Sequence, residues 1–165
     1  MYVVNDKVVL QIGGTVEAQA YTVQRQSNPD GSVSIVEEWK IWHPNVKPNG
    51  VQAFNVSDGS KSWDSERFRK GITNMIDYDN NVVVCSGKAL YSLNVTNGEA
   101  NYEVPVAKGG VGDAELIETY KDMVVVVGEK GVSTFKVSNG DLVNSGKYRK
   151  SFYEDRVGNI LVMKT

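Results

Sequence analysis

One cysteine and one histidine are all the chain offers for thiolate or imidazole chemistry. Cys85 closes the run Val82-Val83-Val84-Cys85, where a thiol reads as a small buried hydrophobe with no base nearby in sequence to take its proton. His43 lies between Trp42 and Pro44 with no cysteine or carboxylate at ligand spacing, so it reads as a loop histidine and not as part of a zinc site. Glu37 and Glu38 are adjacent. On a strand they point to opposite faces and cannot work together as acid and base.

Two further patterns imitate functional loops. Gly110-Val111-Gly112 begins like a dinucleotide loop, but Glu115 stands at the third glycine position and a strand pattern follows. Without a helix N-terminus there is no cradle of free amides for a phosphate. Asp77-Tyr78-Asp79-Asn80-Asn81 opens like a calcium loop, yet Val82 replaces the sharp-turn glycine and Lys88 the bidentate glutamate. Both read as polar connections, Gly109 to Gly112 lying between repeats. Asn55-Val56-Ser57 and Asn94-Val95-Thr96 fit the glycosylation pattern but lie at strand ends and read as accidental. The expectation is a chain with no catalytic, cofactor or metal residues. What remains for recognition is the aromatic group Trp39, Trp42 and His43.

The elements that position these residues repeat. Leu90-Tyr91-Ser92-Leu93-Asn94-Val95-Thr96-Asn97-Gly98-Glu99-Ala100-Asn101-Tyr102 reads as strand, tight turn and strand, with Asn97-Gly98 expected to supply positive φ angles. The same writing recurs at residues 51–63 and 132–140. Aligned on Gly59, Gly98 and Gly140, which are 39 and 42 residues apart, the copies put Phe54, Leu93 and Phe135 in register as equivalent buried positions. A valine-rich run precedes each hairpin: Lys7 to Gly13, Asn81 to Gly87 and Met123 to Gly128, with a fourth from Asn159 to Met163. Each follows a polar pair such as Asn5-Asp6, Asn80-Asn81 or Lys121-Asp122, which is turn chemistry. Further strands are expected at Tyr2 to Val4, Ile72 to Tyr78 and Ala114 to Tyr120, and a polar connection from Lys147 to Asp155. The unit is four short antiparallel strands in about 40 residues, the size of a propeller blade.

Leu-Tyr-Ser-Leu-Asn-x-x-Asn-Gly-x-x-x-Tyr at residues 90–102 closely resembles the quinoprotein-like (PQQ-type) propeller repeat, Leu-Tyr-Ala-Leu-Asp-x-x-Thr-Gly-x-x-x-Trp. Ala53-Phe54-Asn55, Asp58-Gly59 and Trp63 match it too. The resemblance covers residues 51–163 and implies that Trp63 docks between neighbouring blades. Tyr102 and Asn144 stand at that position in the other copies, which predicts weaker or differently built docking there. The fold expected is all-β, an incomplete propeller of roughly three to four repeats that begins mid-protein or belongs to a larger assembly.

From Val8 to its counterpart Val82 is 74 residues, so extra chain lies in the first interval. Gln19 to Gln26 and Val33 to Trp42 alternate around Ser27-Asn28-Pro29-Asp30-Gly31, a hairpin signature. It reads as an insertion, residues 14–50, with blade repeats over 51–165 in one domain; a degenerate blade is the alternative. The stretch from His43 to Gly50 reads as loop from its proline and glycine. Tyr21, Val23 and Arg25 share one hairpin face, while Trp39 and Trp42 take opposite faces, so one of them is a candidate for exposure.

With 18 basic and 20 acidic side chains the chain is near neutral. Nothing in that balance attracts nucleic acid, and no apolar run approaches a membrane span. The function expected is a non-catalytic scaffold or protein-binding module whose partner is a protein or the remainder of the propeller. The resemblance further implies a bacterial periplasm or cell envelope. It also supplies the rivals: a fragment of a quinone-cofactor dehydrogenase, or a glycan- or ligand-binding propeller using exposed aromatics. Such dehydrogenases carry a calcium-binding carboxylate set and often a vicinal cysteine pair, which one cysteine cannot make. No quinone is therefore expected to bind.

Overall fold

The computed structural model describes residues 1–65, 68–106, 110–147, 152–157 and 160–164. Strands β1 (Tyr2–Val4), β2 (Lys7–Thr15), β5 (Asn45–Asn55) and β6 (Lys61–Asp64) form the first sheet, in that order. The second is β10 (Ala100–Pro105), β9 (Ala89–Asn94), β8 (Asn81–Ser86) and β7 (Ile76–Tyr78), and the third is β11 (Ala114–Tyr120), β12 (Met123–Gly128), β13 (Gly131–Lys136) and β14 (Leu142–Lys147). Two hairpins make two-stranded sheets of their own: β3 (Ala18–Ser27) with β4 (Val33–Trp42), and β15 (Phe152–Val157) with β16 (Ile160–Lys164). Every pairing between these strands is antiparallel. The described sheets make a partial propeller and do not close into a barrel.

The three large sheets repeat to the hydrogen bond. Phe54, Leu93 and Phe135 pair with Val8, Val82 and Val124. The turns that follow are closed by Gly59 N to Asn55 O (2.9 Å), Gly98 N to Asn94 O (2.8 Å) and Gly140 N to Lys136 O (2.8 Å). Only the glycine of each turn is left-handed (φ 70°, 77° and 75°); Asn97, expected to share that role, is not. Each turn spans four residues before the chain re-pairs, so one positive φ suffices where a two-residue turn needs two. The two-residue kind occurs instead at Asn5-Asp6 and Asp79-Asn80, where both residues have positive φ.

Two apolar layers hold the sheets together. Val9, Val51, Ala53 and Trp63 of the first sheet meet Val82, Val84, Leu93 and Val95 of the second. Val83, Cys85 and Leu90 on the second sheet's other face meet Ile117, Val124, Val126 and Phe135 of the third. Phe54, expected to be buried like Leu93 and Phe135, is only half-buried. Leu93 and Phe135 face the preceding sheet, and no described sheet precedes the first.

Trp63 and Tyr102 build the two junctions alike. The Trp63 indole Nε1–H donates to the Val95 carbonyl (2.7 Å), and the Tyr102 hydroxyl donates to the equivalent Val137 carbonyl (3.0 Å). Each ring lies against the turn glycine of the next sheet, Trp63 on Gly98 and Tyr102 on Gly140. The tyrosine therefore keeps the tryptophan's geometry with a smaller ring. Burial, with the Cys85 thiol nearby, pushes the Tyr102 phenol up to about 12. An unfolded tyrosine ionises near about 10. The stability carried by the neutral phenol is thus full below pH 10 and is lost as pH rises through about 12. Burial also pushes the Cys85 thiol up, which acts in the same direction. Tyr102→Phe is expected to cost about 1 kcal/mol at neutral pH through the lost hydrogen bond. It should also flatten the fall in chemical-denaturation midpoint between pH 9.5 and 11.5.

Three further expectations need correction. His43 to Gly50 is not a loop: only 43 and 44 separate strands, and β5 begins at Asn45. Strand β2 continues past Gly13 to offer Gly14 and Thr15 as partners for Val46 and Asn45, and Pro48 falls at the register shift, where its missing N–H costs no ladder bond. Gly13 allows this approach, since a Cβ there would lie 2.2 Å from the Pro48 carbonyl oxygen. The strand expected from Ile72 begins at Ile76, Ile72 itself making a lone bridge to Ser86. The connection expected from Lys147 to Asp155 contains β15, which pairs with the last strand. Gly109 and Asn159 lie outside the described residues.

Candidate functional site

The ladder from β2 to β5 sets the base of the projecting hairpin. The equivalent junctions in the second and third sheets are tight turns, Gly87-Lys88 between β8 and β9 and Glu129-Lys130 between β12 and β13. Antiparallel pairing puts these turns and the hairpin at one end of the molecule. Asn28 and Asp30 shape its tip: Gly31 N donates to Asn28 O (3.0 Å), and Ser32 N to the Asp30 carboxylate (2.9 Å).

The hairpin is in unbroken register from Ala18↔Trp42 to Ser27↔Val33. One face carries Tyr21 and Val23 on β3 with Val33, Ile35, Trp39 and Ile41 on β4. All six are exposed, Trp39 at 67% and Ile35 at 63%. Tyr21 and Trp39 are directly opposite each other, with ring centroids 4.8 Å apart and planes tilted by 35°. Trp42 takes the opposite face, which also carries Val36 nearer the tip, and it too is exposed. Both tryptophans therefore face solvent. His43 sits beyond β4 with Nε2 3.8 Å from Glu17 Oε2, both side chains exposed. The three residues singled out in sequence do not converge: Trp39 joins the aromatic face, while Trp42 and His43 lie elsewhere on the hairpin and its base.

Sequence reasoning placed Tyr21 and Val23 on one face but did not join them to Trp39. The joining depends on register, which the loop length between Ser27 and Val33 leaves undetermined. It also missed the Phe68–Tyr91 pair (centroids 4.8 Å) between the first and second sheets, which lines a groove of about 370 Å³ with Asp64, Glu99 and Glu103. A second groove, about 430 Å³, opens at the hairpin end between Gln11, Asn45, Lys70, Gly87 and Asp113. There the Lys70 ammonium pairs with the Asp113 carboxylate across adjacent sheets. Among the described residues no group of three or more His, Cys, Asp or Glu is placed to hold a metal ion. No helix of the described residues is long and apolar enough to cross a membrane.

No family model matches the chain, and no curated protein does. Solved structures do. The quinohemoprotein alcohol dehydrogenase from Comamonas testosteroni is similar over 62% of this chain and 18% of its own, with 12% identity and a TM-score of 0.50. The computationally designed Ika4 protein is similar over 70% of this chain and 76% of its own (15% identity, TM-score 0.53). The designed Ika8 protein is similar over 78% and 46% (13% identity, TM-score 0.50). The chain thus spans about a fifth of the dehydrogenase and about half of Ika8. Together with the internal repeat, the likeness shows a partial PQQ-like β-propeller fold.

Proposed function

We propose that the chain is a non-catalytic scaffold that binds a protein partner through the hairpin β3–β4. The observation that carries this reading is the face formed by Tyr21, Val23, Ile35, Trp39 and Ile41, exposed on a sheet of only two strands. Water-facing strands of this kind gain little unless something covers them. Rigid aromatic and β-branched side chains lose little entropy when covered, so they suit a binding hot spot. The fold itself leaves activity open, since a dehydrogenase and designed proteins share it. The state of Cys85 supports the non-catalytic side: its thiol is buried and burial holds it protonated.

A photo-crosslinking residue at Ile35 or Ile41 is expected to capture one polypeptide in the native cell, where the same residue at exposed Val143 captures none. Trp39→Ser should weaken the purified complex about tenfold or more with little change in melting temperature, because the side chain is mostly in water and only its stacking on Tyr21 is lost. Capture that is indifferent to Trp39 would refute the hairpin as the site. A saturable absorbance change on adding the quinone with calcium would refute the non-catalytic reading.

A further inference from the structure

The Phe68–Tyr91 ring pair stands in the middle of a furrow between the first and second sheets whose two ends carry opposite charge. Phe68 is fixed by its backbone N–H, which donates to the Asn49 carbonyl (3.0 Å), and Tyr91 by its place in β9 opposite Val84 and Glu103. Both rings are half-buried. Toward the Gly98 turn they line the groove of about 370 Å³ with Asp64, Glu99 and Glu103. Toward the Gly87 turn the same two rings line a further groove, about 520 Å³, with Arg69, Lys70 and Lys88. Lys61 offsets Asp64, and Asp113 offsets Lys70. Glu99 and Glu103 accept hydrogen bonds from neutral donors, the Asn97 amide (2.8 Å) and the Tyr91 hydroxyl (3.0 Å), and so keep their charge. Among the described residues Arg69 and Lys88 make no ion pair. Glu66 and Arg67 lie outside the described residues and add one charge of each sign.

The two ends are one strand length apart. Lys88 precedes the six residues of β9, and Glu99 re-pairs at the far end, its carbonyl accepting from Asn94 N (2.8 Å). At the rise of a β-strand that is about 20 Å. We propose that this furrow binds an extended segment of a partner polypeptide, about six residues long, with an acidic side chain at one end, a basic one at the other and an apolar one between. The acidic group pairs with Arg69 and Lys88, the basic group with Glu99 and Glu103, and the apolar side chain lies on the Phe68 and Tyr91 rings. Charge complementarity selects this occupant, since a segment of one sign meets like charge at one end of the furrow. A small zwitterion is too short to reach both ends. No residue of β3 or β4 takes part, so this reading and the hairpin reading can fail separately.

The test uses blocked hexapeptides of the form acetyl-X-Thr-Leu-Val-Thr-Z-amide, titrated at low salt into isotope-labelled protein and followed by amide shifts. The end residues are Glu and Lys in either order, two Glu, two Lys or two Gln. Saturable shifts are expected at Lys88, Tyr91 and Glu103 and none at Ile35 or Gly140. At least one mixed-charge peptide should bind about fivefold or more tighter than the Glu-Glu, Lys-Lys and Gln-Gln peptides. Arg69→Glu combined with Lys88→Glu changes two exposed side chains and makes both ends of the furrow acidic, so the preference should move to the Lys-Lys peptide. The proposal is overturned if no hexapeptide gives saturable shifts, if the charge pattern makes no difference, or if the double variant keeps the original preference. Equal affinity for 6-aminohexanoate would also overturn it, because the occupant would then be a small zwitterion.

Discussion

Trp63→Ala is expected to lower the unfolding free energy by about 3–5 kcal/mol, the largest effect of any single substitution between the first two sheets. The ring is only 8% exposed, it fills the space above Gly98, and its indole donates to the Val95 carbonyl. Truncation loses the apolar contact, opens a cavity and leaves a buried carbonyl without its donor. The melting temperature should fall by on the order of 10 °C. Trp63→Phe separates the contributions, since it restores most of the packing but not the hydrogen bond, and should recover more than half of the loss. Denaturant unfolding followed by far-ultraviolet circular dichroism measures both. A loss below about 1 kcal/mol for the alanine variant would mean that the first sheet is not docked through this ring.

Gly98→Ala and Gly59→Ala should differ sharply although their backbones match. Both residues are left-handed, with φ of 77° and 70°, so each alanine bears the same conformational cost of about 1–2 kcal/mol. At Gly98 the new Cβ falls 2.5 Å from the Trp63 ring, closer than real contacts allow, so the ring or the turn must shift. At Gly59 it meets none of the described residues within 4 Å. The Gly98 variant is therefore expected to be less stable than the Gly59 variant by about 1–3 kcal/mol, the usual cost of overpacking. The difference between variants cancels the turn strain and reports the ring contact alone. Equal destabilisation would place the Trp63 ring elsewhere.

Much of the fold was legible because its repeat is written in residue types that do one physical job each. Glycine marks the left-handed place in each turn, and alternation fixes which of Phe54, Leu93 and Phe135 lies on which face. Four-stranded sheets followed from counting such units. Where the reading failed, a tertiary effect overrode a local one. Pro48 and Gly50 look like loop residues, but the extended β2 and a register shift make room for them within a strand. Phe54 has the right period for burial, yet period says only which face a residue takes and not what lies opposite. Tyr102 looked like a departure from the docking pattern, and a phenol reaching Val137 does what the indole of Trp63 does at Val95.

The candidate site was less legible. Trp39 could be assigned to a face from alternation, but its pairing with Tyr21 depends on where β3 and β4 join, and the segment between Ser27 and Val33 admits several registers. Exposure was harder still. Alternating apolar residues normally signal one covered face, and a hairpin with both faces in water writes the same pattern. Phe68 and Tyr91 left no signal, being far apart in sequence and brought together only by the packing of two sheets.

The measurement that tests the central claim most directly is the proton chemical shift of the three turn glycines. A ring stacked on a Cα moves its protons upfield. The Gly98 and Gly140 α-protons should therefore be shifted upfield from ordinary glycine values and show nuclear Overhauser contacts to the rings of Trp63 and Tyr102. Those of Gly59, on which no ring of the described residues lies, should be at ordinary values. Three indistinguishable glycines, or Overhauser contacts from Trp63 to any turn other than that of Gly98, would contradict the stacked-sheet account.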